Sequence, residues 1–263
     1  HGKTTTTSLI AAVLAQAALD PTVVIGGKLN IWGSNAKLGQ GDFLVAEADE
    51  SDGSFLKLFP TIAVVTTLEE EHLDHYQNLE AIKSAFVQFI NKVPFYGFVV
   101  LCTDEVNIHG LLPQVEKRYV TYGFRNDAHY IARDSQFHAS TTEFTAYFKG
   151  KELGPIRLNL PGLHNVYNAL AAIAVGVELD LSFSVIQEAL AGFLGIQRRF
   201  EIKGEKSGII LVDDYGHHPT EIKTTLRAAK QGWPDRRLLV LFQPHRYTRT
   251  QTLLPRFFDA FEE

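Results

Sequence analysis

The sequence predicts an α/β protein built on a mostly parallel sheet. Short runs rich in Val, Ile, Leu and Phe recur along its 263 residues, and they are continuously apolar rather than alternating in polarity. Such runs are typical of parallel strands that are buried on both faces. Segments with helical character separate several of these runs, and this alternation of strand and helix indicates an α/β fold.

The elements predicted for the first part of the chain begin with a helix. It is rich in Ala and Leu, covers residues 5–19 and ends before the turn-forming pair Asp20-Pro21. Four strands are then expected at 22–25, 43–46, 62–66 and 98–101, with helices at 79–91 and 106–115. Between residues 119 and 160 the pattern changes to short alternating pieces, which indicates a small antiparallel patch. Two more helices are predicted at 165–178 and 183–193.

A second α/β unit is predicted after this point. Its expected elements are a strand at 209–212, a helix at 220–231 and a strand at 238–242. We place the boundary near Arg199, so that residues 1–198 form one domain and residues 199–263 form the start of another. A flexible Ser/Gly-rich linker is not visible in the sequence, so we expect a short hinge. We also expect the first domain to lack its first strand and the start of its phosphate loop, and the second domain to be truncated.

Composition excludes several classes of partner. A net charge of -5 and a sequence pI near 6.1 give no general basic surface, so we expect no nucleic-acid partner. No apolar run approaches the roughly 20 residues needed to span a bilayer, so no membrane partner is expected. The single cysteine, Cys102, cannot form an internal disulfide, which fits a reducing compartment. We therefore expect a cytoplasmic protein.

The first four residues match the end of a phosphate-binding loop of the Walker A type. In such a loop glycine lets backbone N–H groups approach phosphate, lysine supplies positive charge, and a hydroxyl binds magnesium. Gly2, Lys3 and Thr4 are the candidates for these roles, with Thr5 beside them at the start of the predicted helix. The alternative is a simple helix start at which the threonines act as caps.

Acidic residues follow two of the predicted strands. Glu47 is the first of four carboxylates within residues 47–53, and a carboxylate at the end of a parallel strand is well placed to hold magnesium. His72 lies among acidic residues after the strand at 62–66, and a neutral imidazole there can bind a second divalent cation. The alternatives are a solvated acidic turn and a structural or surface histidine.

These motifs and one more occur in the order found in the Mur ligases, which join amino acids to UDP-linked muramic acid. The matching segments are residues 1–6, 47–52, 71–74 and 161–172. Two further segments, 213–221 and 242–250, resemble the member of the family that adds L-alanine. The resemblance implies a P-loop-containing central ATP-binding domain, followed by the start of a Rossmann-like C-terminal domain that binds the amino acid.

The resemblance implies ATP-dependent ligation of L-alanine to UDP-N-acetylmuramate through an acyl phosphate, in peptidoglycan biosynthesis. ATP and Mg²⁺ are the implied cofactors. Two alternatives stay open. One is a ligase that uses the same chemistry to recycle whole murein tripeptide, and the other is a non-catalytic P-loop module that binds nucleotide and signals to a partner.

The resemblance also implies residue roles. Catalysis is assigned to Lys3, Glu47, His72, Arg199 and His217, and the metal to Thr4, Glu47 and His72. The nucleotide is assigned to Gly2, Lys3, Thr4, Thr5, His164, Asn165, Asn168, Arg199 and Asp214. The substrate is assigned to Tyr215, His217, His245, Arg246 and Arg249.

The chemistry of these side chains agrees with the roles. Arginine binds a carboxylate bidentately and histidine accepts a proton near neutral pH, although the sequence does not decide which histidine accepts it. The alternatives are an N-cap at Asn165 with a polar helix face, and a solvated basic turn at Arg246 and Arg249.

Overall fold

The computed structural model describes residues 1–30, 33–70 and 75–262. Its helices are α1 Lys3–Gln16, α2 Leu79–Ile90, α3 Val106–Leu111, α4 Leu163–Glu178, α5 Phe183–Ala191, α6 Pro219–Gly232, α7 Tyr247–Thr252 and α8 Leu254–Ala260. Its strands are β1 Thr22–Val24, β2 Ala36–Lys37, β3 Leu44–Ala46, β4 Ile62–Val65, β5 Phe98–Cys102, β6 Tyr119–Gly123, β7 Tyr130–His138, β8 Thr141–Phe148, β9 Lys151–Leu158, β10 Glu201–Lys206 and β11 Ile209–Asp213. Short 3-10 turns occupy Ser54–Lys57 and Leu112–Gln114.

The largest sheet has six strands in the order β4-β5-β6-β7-β8-β9. Strands β4 to β7 are parallel to one another, with Val64 opposite Val100 and Val100 opposite Val120. Every residue of β5 is buried, as expected for a central parallel strand covered on both faces. The mixed α/β class and the mostly parallel sheet predicted from the sequence are therefore confirmed.

The antiparallel part of this sheet is more extensive than predicted. Strands β7, β8 and β9 contain nine, eight and eight residues and pair as consecutive hairpins. In β8, buried and less buried residues alternate, because one face packs on the core and the other faces outward. The short alternating pieces in the sequence are thus fragments of long strands.

Strands β1 and β3 belong to a separate three-stranded sheet. β1 is parallel to β3 and antiparallel to β2, and within the described ranges no ladder joins this sheet to the six-stranded one. The predicted strands at 22–25 and 43–46 are therefore neighbours of each other. Both end beside the start of α1, where Glu47 and Thr4 meet.

Helix α4 lies in the centre of the main core. Its residues 169–174 are completely buried, because it packs against α1, α5 and several strands of the large sheet. A helix that is apolar on all sides is expected in such a position. Gly176 lets α5 approach closely, since a Cβ atom there would lie 2.8 Å from Ile186 Cδ1. Among the described residues, no helix has the length and apolarity needed to cross a membrane.

The second unit consists of the hairpin β10-β11 and helices α6 to α8. It has a small core of its own formed by Ile222, Leu226, Phe257 and Ala260. The strand predicted at 238–242 is wrong: this stretch is neither strand nor helix, and Leu241 is fully exposed. Among the described strands none pairs with it, so its backbone N–H and C=O groups have no ladder partners.

Candidate active site

A cleft with a volume of about 290 Å³ lies where the parallel strands of the large sheet end. This value is near the lower end of the roughly 300–1,000 Å³ typical of small-molecule pockets. Its walls come from the residues after β4 and β5, from the last part of β6, from the starts of α1 and α4, and from the second unit. Of the residues predicted to bind nucleotide, those that line it are Gly2, Thr4, Thr5, His164, Asn165, Asn168, Arg199 and Asp214.

The start of α1 has the backbone geometry of an anion site. Gly2 has φ +78°, and a Cβ atom in its place would lie 2.6 Å from Asn168 Oδ1, so this position favours glycine sterically and conformationally. Its carbonyl accepts the first helical hydrogen bond, from Thr6 N at 2.9 Å. The N–H groups of the first turn have no helical acceptor, and together with the helix dipole they favour an anion.

Thr4 and Glu47 lie in direct contact at this helix start. Thr4 Oγ1 donates to Glu47 Oε1 at 3.0 Å, and Gly26 N donates to Glu47 Oε2 at 2.8 Å. Glu47 is the first residue after β3, which explains how a residue 43 positions away reaches Thr4. A hydroxyl and a carboxylate so close together are suitable oxygen ligands for Mg²⁺. His72, the third predicted ligand, lies outside the described residues.

Lys3 is directed to the acidic loop after β3 rather than into the lining of the cleft. Its Nζ lies 2.5 Å from Glu50 Oε2 and 3.7 Å from Asp49 Oδ1. Burial lowers the pKa of Lys3, but the carboxylates, Glu50 foremost, outweigh this and raise the pKa above its ordinary value. Lys3 is therefore a fully charged ammonium group at neutral pH.

Asn165 and Asn168 form a buried chain of hydrogen bonds. Thr6 Oγ1 donates to Asn168 Oδ1 at 3.1 Å, Asn168 Nδ2 donates to Asn165 Oδ1 at 3.1 Å, and Asn165 Nδ2 donates to the Pro161 carbonyl at 2.7 Å. The chain ties α1 to the start of α4. The alternative of an N-cap at Asn165 is wrong, because α4 begins at Leu163 after Gly162.

His164 is half-buried in the first turn of α4. Burial, assisted by the positive charge of Arg199, lowers the pKa of His164 to about 4. The imidazole is therefore neutral near pH 7 and can both donate and accept a hydrogen bond at the cleft.

The second unit contributes Arg199, Asp214 and Glu221 to the cleft. Arg199 NH1 lies 3.5 Å from Glu221 Oε1, and His1 Nδ1 lies 3.4 Å from the same oxygen. Burial raises the pKa of Glu221, but its hydrogen bonds and charge interactions, led by those with His1, hold the pKa well below the usual range. The carboxylate thus joins the two units at the start of α1.

The Asp214 carboxylate holds together the two ends of the hairpin β10-β11. It accepts from Phe200 N at 2.8 Å and from Gly216 N at 2.7 Å, which fixes the chain on both sides of the hairpin β10-β11. Burial raises the pKa of Asp214, although these two hydrogen bonds oppose the change.

Four of the residues predicted to bind the substrate lie together. The rings of Tyr215 and His217 are 5.1 Å apart, those of His217 and His245 are 6.1 Å apart, and Arg249 NH1 donates to the His245 carbonyl at 3.2 Å. Arg246 is exposed, has φ +67° and directly precedes α7. The structure therefore brings Tyr215, His217, His245 and Arg249 into one cluster, and Arg246 is the exposed residue that follows His245 in the chain.

Several residues of the cleft were not predicted from the sequence. Asp104 follows β5 and accepts hydrogen bonds from Phe124 N, Arg125 N and the Tyr167 hydroxyl. Asp104 carries the same sequence signal as Glu47, since it is a carboxylate just after a parallel strand.

A group of possible metal donors was missed as well. In the described part of the chain, His1, Glu69 and His218 place donor atoms within 4.8 Å of one another. His218 Nδ1 already accepts from Thr220 N at 3.3 Å and caps α6. These residues meet only through the packing of the two units, which sequence spacing does not reveal.

Comparison with known protein families gives two matches. Residues 1–176 match the family model "Mur ligase middle domain", and residues 198–262 match "Mur ligase, glutamate ligase domain".

Three similar proteins illustrate the likeness. The chain is 61% identical over 262 residues to the UDP-N-acetylmuramate--L-alanine ligase of Pelobacter propionicus, covering 99% of this chain and 57% of that protein. The crystal structure of the UDP-N-acetylmuramate-alanine ligase of Thermotoga maritima has a TM-score of 0.83 at 29% identity, covering 99% of this chain and 62% of the other. A murein peptide ligase of Psychrobacter arcticus has a TM-score of 0.71 at 30% identity, covering 94% and 56%. The chain thus spans little more than half the length of these relatives.

Proposed function

Because this chain belongs to the Mur ligase family, we propose that it is the nucleotide-binding part of an ATP-dependent ligase that joins L-alanine to UDP-N-acetylmuramate. The observation that carries the proposal is the contact between Thr4 and Glu47 at the glycine-initiated start of α1. It supplies a magnesium-binding pair of oxygens beside an anion site, which is what phosphoryl transfer from ATP needs.

In the proposed first step, a carboxylate oxygen of UDP-N-acetylmuramate attacks the terminal phosphorus of ATP, and ADP leaves. The start of α1 and Lys3 would hold the phosphates, and Thr4 and Glu47 would hold Mg²⁺. When bound, the metal neutralises charge that develops on the transferred phosphoryl group. Arg199 enters the cleft from the second unit, and its guanidinium suits a phosphate oxygen.

In the second step, the amine of L-alanine attacks the acyl carbon and phosphate leaves. The amine must lose a proton, and we assign its acceptance to His217. Burial lowers the pKa of His217, so the ring is neutral near pH 7. Its Nδ1 lies 3.0 Å from the Tyr215 carbonyl, an arrangement that places the proton on Nδ1 and leaves Nε2 as the acceptor.

The choice of amino acid rests on a different observation from the chemistry. The curated relative that is 61% identical is named for L-alanine. Arg249 lies beside His245 and His217, and its guanidinium can bind the carboxylate of an amino acid. We propose that the reaction belongs to peptidoglycan synthesis and takes place in the cytoplasm.

Phosphate release by the full-length protein tests the proposal. ATP, Mg²⁺ and UDP-N-acetylmuramate are supplied, and L-alanine or murein tripeptide is added singly. We expect release that depends on L-alanine. Release with the tripeptide alone would identify the recycling ligase instead, and no release with either amine would favour a non-catalytic nucleotide-binding module.

A further inference from the structure

Lys3 is held by a carboxylate at the point where it is needed for phosphate. Its ammonium nitrogen lies 2.5 Å from Glu50 Oε2, and the Glu50 side chain is only 14% exposed. The Lys3 side chain is 30% exposed, so the pair is partly shielded from water. A charge-assisted contact in such a setting is stronger than one on an open surface.

The backbone of Glu50 is held by a hydrogen bond from a buried side chain. The hydroxyl of Tyr76, a buried residue, donates to the Glu50 backbone carbonyl at 2.7 Å. Asp49 is occupied differently, because its carboxylate accepts from Ser51 N at 3.1 Å and from Ser51 Oγ at 3.0 Å. The acidic loop therefore presents Glu50, rather than Asp49, as the close partner of Lys3.

Glu47 and Glu50, which follow β3, contact two neighbouring residues at the start of α1. Glu47 contacts the Thr4 hydroxyl and Glu50 contacts the neighbouring Lys3 ammonium. The proposed function gives both the Thr4 hydroxyl and the Lys3 ammonium to a bound nucleotide and its metal. The two carboxylates affect this binding in different ways. Glu47 and Thr4 can share one metal ion, since both offer oxygen ligands. Glu50 and a phosphate oxygen, both anionic, instead compete for one ammonium group.

We propose that Glu50 is a positioning residue that holds the Lys3 side chain and competes with the nucleotide phosphate for its ammonium group. The inference rests on the proposed function, in which Lys3 binds phosphate. Nucleotide entry requires the ammonium to exchange a carboxylate for a phosphate oxygen. Glu50 thereby weakens nucleotide binding and receives Lys3 again when the product nucleotide leaves.

The variant Glu50→Gln tests this competition, because it keeps the shape of the side chain and removes its charge. Binding of ADP with Mg²⁺ to the whole chain is measured by calorimetry. We expect ADP to bind about fivefold more tightly than to the wild type, as for a partly shielded ion pair. Glu50→Asp keeps the charge and should bind ADP with nearly wild-type affinity.

Three further variants separate the competition from a general structural effect. Asp52→Asn removes another carboxylate of the same loop, exposed and hydrogen-bonded to Ser54 N at 2.9 Å, and should leave ADP affinity unchanged. In a Lys3→Gln background the further change Glu50→Gln should have no effect, since the competed group is absent.

Unchanged or weaker ADP binding by Glu50→Gln, with normal binding by the wild type, would overturn the inference alone. A gain of equal size in the Lys3→Gln background would also overturn it. Failure of every protein to bind ADP would overturn both this inference and the proposed nucleotide site.

Discussion

Thr4 Oγ1 and Glu47 Oε1 are joined by a 3.0 Å hydrogen bond between residues 43 positions apart. The contact links the start of α1 to the end of β3 and forms the proposed magnesium site. Because Glu47 also accepts from Gly26 N, both oxygens of the carboxylate are held by groups of the protein itself. Its position is therefore set by the fold, and its charge is available to a cation.

Replacing Glu47 by glutamine should separate this charge from the hydrogen bonds. The amide oxygen can still accept a hydrogen bond, so we expect a folded protein, whereas loss of the anionic metal ligand should lower kcat about a hundredfold or more. Steady-state phosphate release by the full-length protein measures the effect, with circular dichroism as the check on folding. Glu143→Gln, on the distant strand β8, is the control, and a near-normal rate for Glu47→Gln would remove the magnesium assignment.

Asn168 is expected to matter for stability as well as for nucleotide. Truncation to alanine leaves the Thr6 hydroxyl and Asn165 Oδ1 without their partner in a buried chain. We expect a loss of about 1–3 kcal/mol in the free energy of unfolding. Urea denaturation measures it, and Asn126→Ala, at an exposed position, should change it little. Equal stability of the two variants would show that the chain of hydrogen bonds contributes nothing.

The free energy of unfolding should decrease as the pH is lowered, over a pH range set by His164. Its pKa is about 4 in the folded protein against an ordinary value of 6.5, so the unfolded chain binds the proton more readily. The contribution of neutral His164 is complete above pH 6.5 and is lost as the pH falls toward 4. His164→Gln should therefore lose less stability than the wild type over this range.

Urea denaturation at several pH values between 4 and 7.5 provides the measurement. Asn126→Gln, which changes an exposed residue that does not titrate, should show the same slope as the wild type. Parallel curves for His164→Gln and the wild type would contradict the pKa that the structure implies.

His217→Gln should act on the second chemical step. Loss of a proton acceptor typically lowers the rate by about 10² to 10⁴-fold. ADP affinity should stay near that of the wild type, because His217 is assigned to the amine and not to the nucleotide. Rapid-quench measurement of acyl phosphate formation and of amide formation separates the steps, with His138→Gln as the control. Slower acyl phosphate formation with normal amide formation would contradict this assignment and would place His217 in the first step.

Local sequence was sufficient to predict contacts at strand ends. The place of Glu47 directly after a predicted parallel strand singled it out as a magnesium ligand, and the family resemblance assigned the metal to Thr4 and Glu47 together. The same rule does not rank Glu47 against Glu50, and the pairing of Glu50 with Lys3 depends on Tyr76 and on the path of the loop. That information is tertiary and has no counterpart in residue spacing.

Other differences also come from tertiary context. The run at 238–242 has strand composition, but a strand requires a hydrogen-bonding neighbour, and composition cannot supply one. No role was predicted for Glu221 and Glu69 from the sequence, because each becomes part of the cleft only when α6 packs against His1 and the residues after β4. The predicted domain boundary near Arg199 stays a prediction.

The hairpins β7-β8-β9 have a consequence for how the molecule forms. Phe148 pairs with Lys151 across the turn Lys149-Gly150, so these strands find their partners a few residues away. The parallel pair β4-β5 must instead bring together residues about 36 positions apart, as Ile62 with Phe98. Pairing between residues that are near in sequence has a smaller entropy cost of loop closure. We therefore expect the hairpins to form early and to serve as a template for the parallel strands. The cleft, built at the ends of the parallel strands, would then be completed late in folding.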